Sequence, residues 1–207
     1  MGCERVEELT LEAPLVLPES GGVQVQVSVG AVDEGGRCAF ALFSRSADSA
    51  VFASVGSVGS GVGSWVRHAS GFLAGGGVVP LVDVVWPPVG AESVVLEGLY
   101  EGFAGAGLVY GEAFRGLRGV WRRGGETFAE VVLPELIASD AGGFGVHPAL
   151  LDAALHALGV GGLEGEGQAR LPFAWGGVSL HAAGASVLRV RLAPVGTDAV
   201  SLHAVDT

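Results

Sequence analysis

An aspartate and a histidine stand four residues apart in the segment HPALLDAALHA, residues 147–157. Side chains at this spacing lie on one face of an α-helix, so a helix here would bring the carboxyl group of Asp152 next to the imidazole of His156. A carboxylic acid oriented by a neighbouring group can donate a proton to a reacting atom or remove one from it. The segment therefore predicts half of a general acid–base site.

The residues around this pair favour the helix that would position it. Pro148 suits a first helical turn, where its missing N–H costs nothing, His147 can cap that turn, and Gly159 is typical of a helix end. The pattern predicts a helix over 147–158. Because Ala and Leu flank Asp152 on both sides, we expect its carboxyl group in an apolar groove.

Alternation of apolar and polar residues predicts strands before and after this helix. In VQVQVSV at 23–29, Val alternates with Gln or Ser, which predicts a half-buried strand. Gly124 and Gly125 are expected to join two further strands in a tight turn. The remaining predictions are strands at 38–45, 64–73, 114–122 and 127–133, a meander at 175–207, a packing helix at 96–104 and a Gly- and Ser-rich loop at 46–64.

Composition excludes two classes of function. The 207 residues carry a net charge of −11 at pH 7, and basic residues cluster only at 122–124, so the basic surface that nucleic-acid binding needs is absent. The longest uncharged stretch, 49–66, is half Gly and Ser, whereas a membrane span needs about 20 mostly apolar residues. Cys3 and Cys38 form no disulfide framework and no metal spacing. We expect a cytoplasmic protein.

Four motifs in one order give the chain a resemblance to a known family. The segments VEELTLEAPLVLP (6–18), YGEAF (110–114), HPALLDAALHA and LPFAW (171–175) resemble those of the dehydratase domain of bacterial modular type I polyketide synthases. The resemblance implies an α+β, double hot-dog-like fold with two curved antiparallel sheets and a central helix in the second half. Compared with the family, we expect the chain to be truncated at both ends, and its first half to lack its helix.

The resemblance also predicts a domain organisation. An incomplete N-terminal hot-dog half is expected at 1–85, a linker at 86–95, and a C-terminal half without its final strand at 96–207. The halves share a weak internal repeat, since 9–45 and 178–207 have the same order of strands and turns.

The family removes water from a β-hydroxyacyl thioester, and the resemblance assigns roles in that reaction. Asp152 matches the acid that protonates the departing hydroxyl, and His156 matches the residue that holds this acid in place. Tyr110, Gly111 and Phe114 are expected at the substrate. No metal or redox cofactor is implied. The substrate is expected on the phosphopantetheine of an acyl carrier protein.

Further residues and partners follow from the same resemblance. His147 and Pro148, which open the helix motif, are expected to bind substrate. The expected partners are the acyl carrier protein and neighbouring synthase domains, and a homodimer is among the arrangements common in the family.

The chain departs from the family in ways that leave other functions open. The family's base lies in a His-x-x-x-Gly-x-x-x-x-Pro motif, which these 207 residues do not contain, so the chain alone is expected to be inactive. Leu108 and Glu112 replace a tyrosine and a proline of the family's substrate loop. The alternatives are a non-catalytic structural or docking remnant of a synthase, and a related isomerase or cyclase-type domain.

Overall fold

A computed structural model describes residues 3–47, 64–76, 85–160 and 171–207. The chain divides into two compact units, which are described separately. The first contains Met1–Pro80 and Leu171–Leu180, and the second contains Leu81–Arg170 and His181–Thr207. The loop predicted at 46–64 falls, except at its ends, outside the described residues. The predicted boundaries at 85 and 95 stay a prediction.

The first unit is an antiparallel sheet of five strands. Its strand order is β2-β3-β4-β1-β8. The strands are β1 (Arg5–Leu11), β2 (Val23–Val32), β3 (Cys38–Ser46), β4 (Val66–Ala74) and, after a long gap in the chain, β8 (Ala174–Ser179). The strands predicted at 23–29, 38–45 and 64–73 are confirmed. Within its described residues this unit contains no α-helix.

The burial predicted for β2 is wrong. Val25, Val27 and Val29 alternate along one face of the strand as expected, but each is at least half exposed. The physical reason is that β2 is the edge strand of its sheet and no helix among the described residues of this unit covers that face.

The meander predicted at 175–207 is also wrong in its first strand. Strand β8 pairs antiparallel with β1, with Trp175 opposite Leu9, and the amide of Leu11 donates to the carbonyl oxygen of Phe173 at 2.9 Å. Residues 174–179 therefore belong to the sheet of the first unit. An aromatic residue such as Phe173 is expected in a core, but its side chain is 69% exposed because it precedes this edge strand.

The second unit combines an antiparallel sheet with helices. Its strand order is β10-β9-β7-β6-β5. The strands are β5 (Glu92–Val94), β6 (Leu117–Arg123), β7 (Glu126–Val132), β9 (Val187–Val195) and β10 (Ala199–Asp206). The helices are α1 (Leu99–Gly105), α2 (Glu135–Ala138) and α3 (Pro148–Val160).

The predicted hairpin and the predicted helix are both confirmed in this unit. Gly124 and Gly125 join β6 to β7 with φ angles of 58° and 86°, a backbone conformation that glycine adopts without steric cost. Helix α3 covers one face of the sheet, and its buried alanines let it approach closely. They are Ala149, Ala153, Ala154 and Ala157. The helix that carries Asp152 and His156 is thus fixed by the main core of the unit.

Helices of the described residues are short. The longest, α3, has 13 residues, and none of the described helices combines the length and the apolar character that a bilayer crossing requires.

Candidate functional site

Asp152 and His156 lie on adjacent turns of α3, as the sequence predicts. The Nε2 atom of His156 is 3.1 Å from the Oδ2 atom of Asp152. The imidazole is 3% exposed, whereas the side chain of Asp152 is 36% exposed. The histidine is therefore a buried support, and the carboxyl group is the member of the pair that a ligand can reach.

An open pocket of about 680 Å³ lies in front of this carboxyl group. The predicted residues Tyr110, Gly111, Phe114 and Asp152 all line it, so the structure brings these four together. Most of the remaining lining is apolar, and it comprises Val109, Glu112, Ala113 and Leu136. A carboxyl group at the wall of such a pocket can meet a substrate with few competing polar groups.

The loop that forms one wall of the pocket is held by a tight 3₁₀ turn at Glu112–Phe114. The amide of Phe114 donates to the carbonyl oxygen of Gly111 at 3.0 Å, and that of Arg115 donates to the carbonyl oxygen of Glu112 at 3.2 Å. Glu112 is exposed on this turn. Glu112 adds a second acidic residue, besides Asp152, to the lining of the pocket.

His147 and Pro148 are not among the residues that line the pocket. Instead, Nδ1 of His147 accepts a hydrogen bond from the amide of Ala149 at 3.2 Å. Leu150 and Leu151 both donate from their amides to the carbonyl oxygen of His147. His147 thus caps α3, which satisfies amides that have no partner within the helix. Contact of His147 and Pro148 with substrate stays a prediction.

Sequence reasoning missed two aromatic residues of the site. Tyr100 and Phe103 lie on α1, which we interpreted as a packing helix without chemistry. Their ring centroids are 5.7 and 5.5 Å from that of His156. Their spacing of three residues places them on one helix face and is the signal that could have identified them.

A second buried histidine lies in the first unit, and its ring nitrogens are already engaged. The Nε2 atom of His68 is 2.7 Å from the hydroxyl oxygen of Ser44, on the neighbouring strand β3. Its Nδ1 atom is 3.0 Å from the carbonyl oxygen of Ala13. These contacts tie His68 on β4 to β3 and to the chain at Ala13, and they offer no reason to assign it a proton-transfer role.

Two family models match the chain. The model of the "polyketide synthase dehydratase N-terminal domain" matches residues 81–204, and that of the "polyketide synthase dehydratase domain" matches residues 1–45. A curated relative, the mycoketide-CoA synthase of Mycobacterium tuberculosis, is 50% identical over 210 residues. The match covers 100% of this chain and only 5% of the length of that relative. The chain thus spans a small part of the length of the synthases that it resembles.

Solved structures show the same similarity in three dimensions. A structure from a study of dehydratase substrate selection in the borrelidin and fluvirucin polyketide synthases is 47% identical, with a TM-score of 0.86. The match covers all of this chain and 68% of that one. A bifunctional dehydratase-cyclase domain from ambruticin biosynthesis is 39% identical, with a TM-score of 0.79 and coverage of 97% and 69%. The predicted α+β, double hot-dog-like fold class is confirmed.

Proposed function

Because this chain belongs to the polyketide synthase dehydratase family, we propose that it forms the acid-bearing part of a domain that dehydrates a β-hydroxyacyl thioester to the enoyl thioester. The observation that carries the proposal is the placement of Asp152, hydrogen-bonded to His156, at the wall of the open pocket. The reaction needs a proton donor at the leaving hydroxyl, and this carboxyl group can supply one.

Each residue of the site has a defined task in the proposed reaction. A base removes the proton from the α-carbon, and the electron pair of that C–H bond forms the α,β double bond. The bond between the β-carbon and its hydroxyl breaks, and the carboxylic acid of Asp152 donates a proton so that water leaves. In the proposed reaction, the Nε2 atom of His156 carries the hydrogen and donates it to the Oδ2 atom of the Asp152 carboxyl group, 3.1 Å away, which fixes the direction in which the other oxygen points.

The base is the part of the proposed site that these residues do not supply. No His-x-x-x-Gly-x-x-x-x-Pro segment occurs among the 207 residues, and the solved relative extends beyond the part that this chain matches. We therefore expect the chain by itself not to dehydrate a β-hydroxyacyl thioester, and a segment that carries the base to restore the activity.

The expected partners follow from the family. The acyl chain would arrive on the phosphopantetheine arm of an acyl carrier protein, in the cytoplasm, and neighbouring synthase domains would lie on the same polypeptide or beside it. A homodimer belongs to the same proposal. The apolar lining from Val109, Phe114 and Leu136 suits an acyl chain.

A chimaera tests the proposal. In it, these 207 residues replace the matching 68% of the solved dehydratase from the borrelidin and fluvirucin study, so that the remainder of that domain supplies the base. We expect the chimaera to dehydrate a β-hydroxyacyl carrier protein and the unmodified chain not to. Asp152→Asn should lower the rate of the chimaera by about 10²- to 10⁴-fold, and Asp140→Asn, on an exposed turn, should not.

One result would reject this function, and a second would overturn the assignment of the base. If the chimaera folds but is inactive, a structural or docking role for the chain gains support. If the unmodified chain dehydrates the substrate and loses that activity in Asp152→Asn, the assignment of the base to another segment is wrong.

A second candidate is favoured by one comparison. The similar ambruticin domain is a bifunctional dehydratase-cyclase, so cyclic ether formation after dehydration is the alternative for this pocket. Incubating the chimaera with a substrate that carries a further hydroxyl group distinguishes the two. A cyclic ether, detected by mass spectrometry and NMR, would add cyclase activity, and an enoyl product alone would not.

A further inference from the structure

The imidazole of His156 is held on one side only by a hydrogen bond. Its Nε2 atom contacts Asp152, whereas its Nδ1 atom is buried and has no hydrogen-bond partner among the described residues. A histidine that orients another group is usually fixed by a second bond at its other nitrogen. Here something else must keep the ring in the plane that directs Nε2 at Asp152.

Three aromatic rings pack against the imidazole. The ring centroid of Tyr110 is 4.2 Å from that of His156, and those of Tyr100 and Phe103 are 5.7 and 5.5 Å away. The three rings also contact each other edge-on, with centroids 5.6 to 6.1 Å apart. Close packing by three rings restricts rotation of the imidazole about its χ2 angle, because little free space is left around it.

Arg115 connects two of these rings from outside the pocket. Its Nε atom donates to the carbonyl oxygen of Tyr110 at 3.0 Å, and its guanidinium carbon lies 5.3 Å from the centre of the Tyr100 ring. A planar guanidinium group can make both contacts at once, because it donates along its edge while its face is free to approach a ring. Arg115 is exposed and is not among the residues that line the pocket.

Tyr100 is anchored at its other end. Its hydroxyl oxygen accepts a hydrogen bond from the amide of Leu117 at 3.4 Å, at the start of β6. Burial raises the pKa of Tyr100 above its usual value, so the hydroxyl stays protonated and neutral. The ring is therefore held between β6 and Arg115, and its plane is nearly perpendicular to that of His156.

We propose that Arg115 and Tyr100 are positioning residues of the site. They hold Tyr110 and the His156 imidazole so that its Nε2 atom stays on Asp152. The catalytic consequence of this inference rests on the proposed dehydratase function, but the structural part does not. Their hydrogen bonds join Tyr110 and Leu117 rather than Asp152, so we expect their effect on the carboxyl group to pass mainly through Tyr110 and His156.

Proton NMR of the 207-residue chain tests the structural part without any activity. The ring protons of His156, assigned by their loss in His156→Gln, should lie upfield of those of exposed His203, because three aromatic rings surround the imidazole. Arg115→Gln should move them toward the His203 positions, and so should Arg115→Lys, which keeps the charge but loses the planar group. The matched control is Arg118→Gln, which removes an exposed arginine three residues away. It should leave the His156 signals in place.

The same variants in the chimaera test the catalytic part. Arg115→Gln and Arg115→Lys should each lower kcat on the order of tenfold, since slight misplacement of a reacting group is costly, while KM changes little. His156→Gln should retain most of the activity because glutamine also donates an N–H, and His156→Leu should not.

The outcomes separate this inference from the proposed function. Unchanged His156 signals together with an unchanged kcat in Arg115→Gln would overturn it. If the His156 signals change in Arg115→Gln, the positioning role is supported. If, at the same time, the chimaera is inactive even without substitutions, the dehydratase function is rejected.

Discussion

The two units bury their apolar sheet faces to different extents. In the second unit, Val120 on β6 and Val190 and Leu192 on β9 are at most 1% exposed, because α3 packs against the sheet. In the first unit, Val25 and Val27 on β2 are 50% and 61% exposed. Both sheets have five antiparallel strands, so the strand pattern alone does not decide burial. The element that covers the face decides it.

The difference explains why the candidate site lies in the second unit. A carboxyl group keeps a fixed position only when the element that carries it is itself fixed. Helix α3 is tied down by four buried alanines and by the cap from His147, so Asp152 is presented on a rigid element. Where β2 is half exposed, a side chain has fewer neighbours to hold it.

A valine-to-alanine substitution should show the largest difference between the two units in its cost in stability. Val190→Ala removes a fully buried side chain and should cost about 2–3 kcal/mol, from the lost burial and the cavity that is left. Val27→Ala should change stability by no more than about 0.5 kcal/mol, because that side chain is already largely in water. Amide hydrogen exchange, followed separately in β9 and β2, measures both. Equal costs would contradict the comparison.

In the first unit, the backbones of the paired strands β1 and β4 pack closely at Gly71. A Cβ atom added at Gly71 would lie 1.9 Å from the carbonyl oxygen of Glu8 on the neighbouring strand β1. Gly71→Ala should therefore separate β1 from β4 and cost about 2 kcal/mol. The matched control is Gly22→Ala, since an added Cβ atom there meets nothing within 4 Å. Faster hydrogen exchange in both strands of Gly71→Ala only is the expected result, and equal exchange in the two variants would show that the backbone adapts.

Local signals in the sequence predicted single strands, turns and helices better than they predicted which strands pair with each other. The Gly124-Gly125 turn and the capped helix with Asp152 were predictable, because both depend on residues next to each other in the chain. The pairing of β8 with β1 was not, since it joins residues more than 160 positions apart, for example Thr10 with Ala174. Alternation in β2 identified the strand but could not reveal whether another element covers it.

The site shows the same limit at the level of single residues. Asp152 and His156 were predictable because their spacing on one helix fixes their contact. Tyr100 and Phe103 were missed because their contact with His156 depends on the packing of α1 against α3, and more than 50 residues of chain separate these side chains from His156. Contacts between distant elements are set by the core, which no local pattern specifies.

Removal of the cap should affect the second unit moderately. His147→Ala leaves the amide of Ala149 without its side-chain acceptor and should cost about 1 kcal/mol, as other helix caps do. Urea denaturation followed by the helical circular dichroism signal measures this, because all the α-helices among the described residues lie in this unit. His203→Ala, at an exposed position, is the control. A wild-type midpoint for His147→Ala would mean that water replaces the cap without cost.

The smallest expected effect is electrostatic and belongs to the first unit. A hydrogen bond from the Ser70 hydroxyl, followed by one from Arg67, lowers the pKa of Glu12 below its usual value. A carboxyl group with a lowered pKa in the folded state stabilises the fold above its usual pKa, and that contribution is lost as the pH falls through the lowered value. Because Glu12 pairs at the surface, the contribution is small and is screened by salt.

Titration of Glu12 by NMR tests this contact directly. Ser70→Ala should raise the pKa of Glu12 toward its usual value, because the largest cause of its lowering is removed. Ser28→Ala, on the exposed strand β2, should leave it unchanged. A Glu12 pKa that is the same in Ser70→Ala and in the wild type would show that the hydroxyl does not hold this carboxylate.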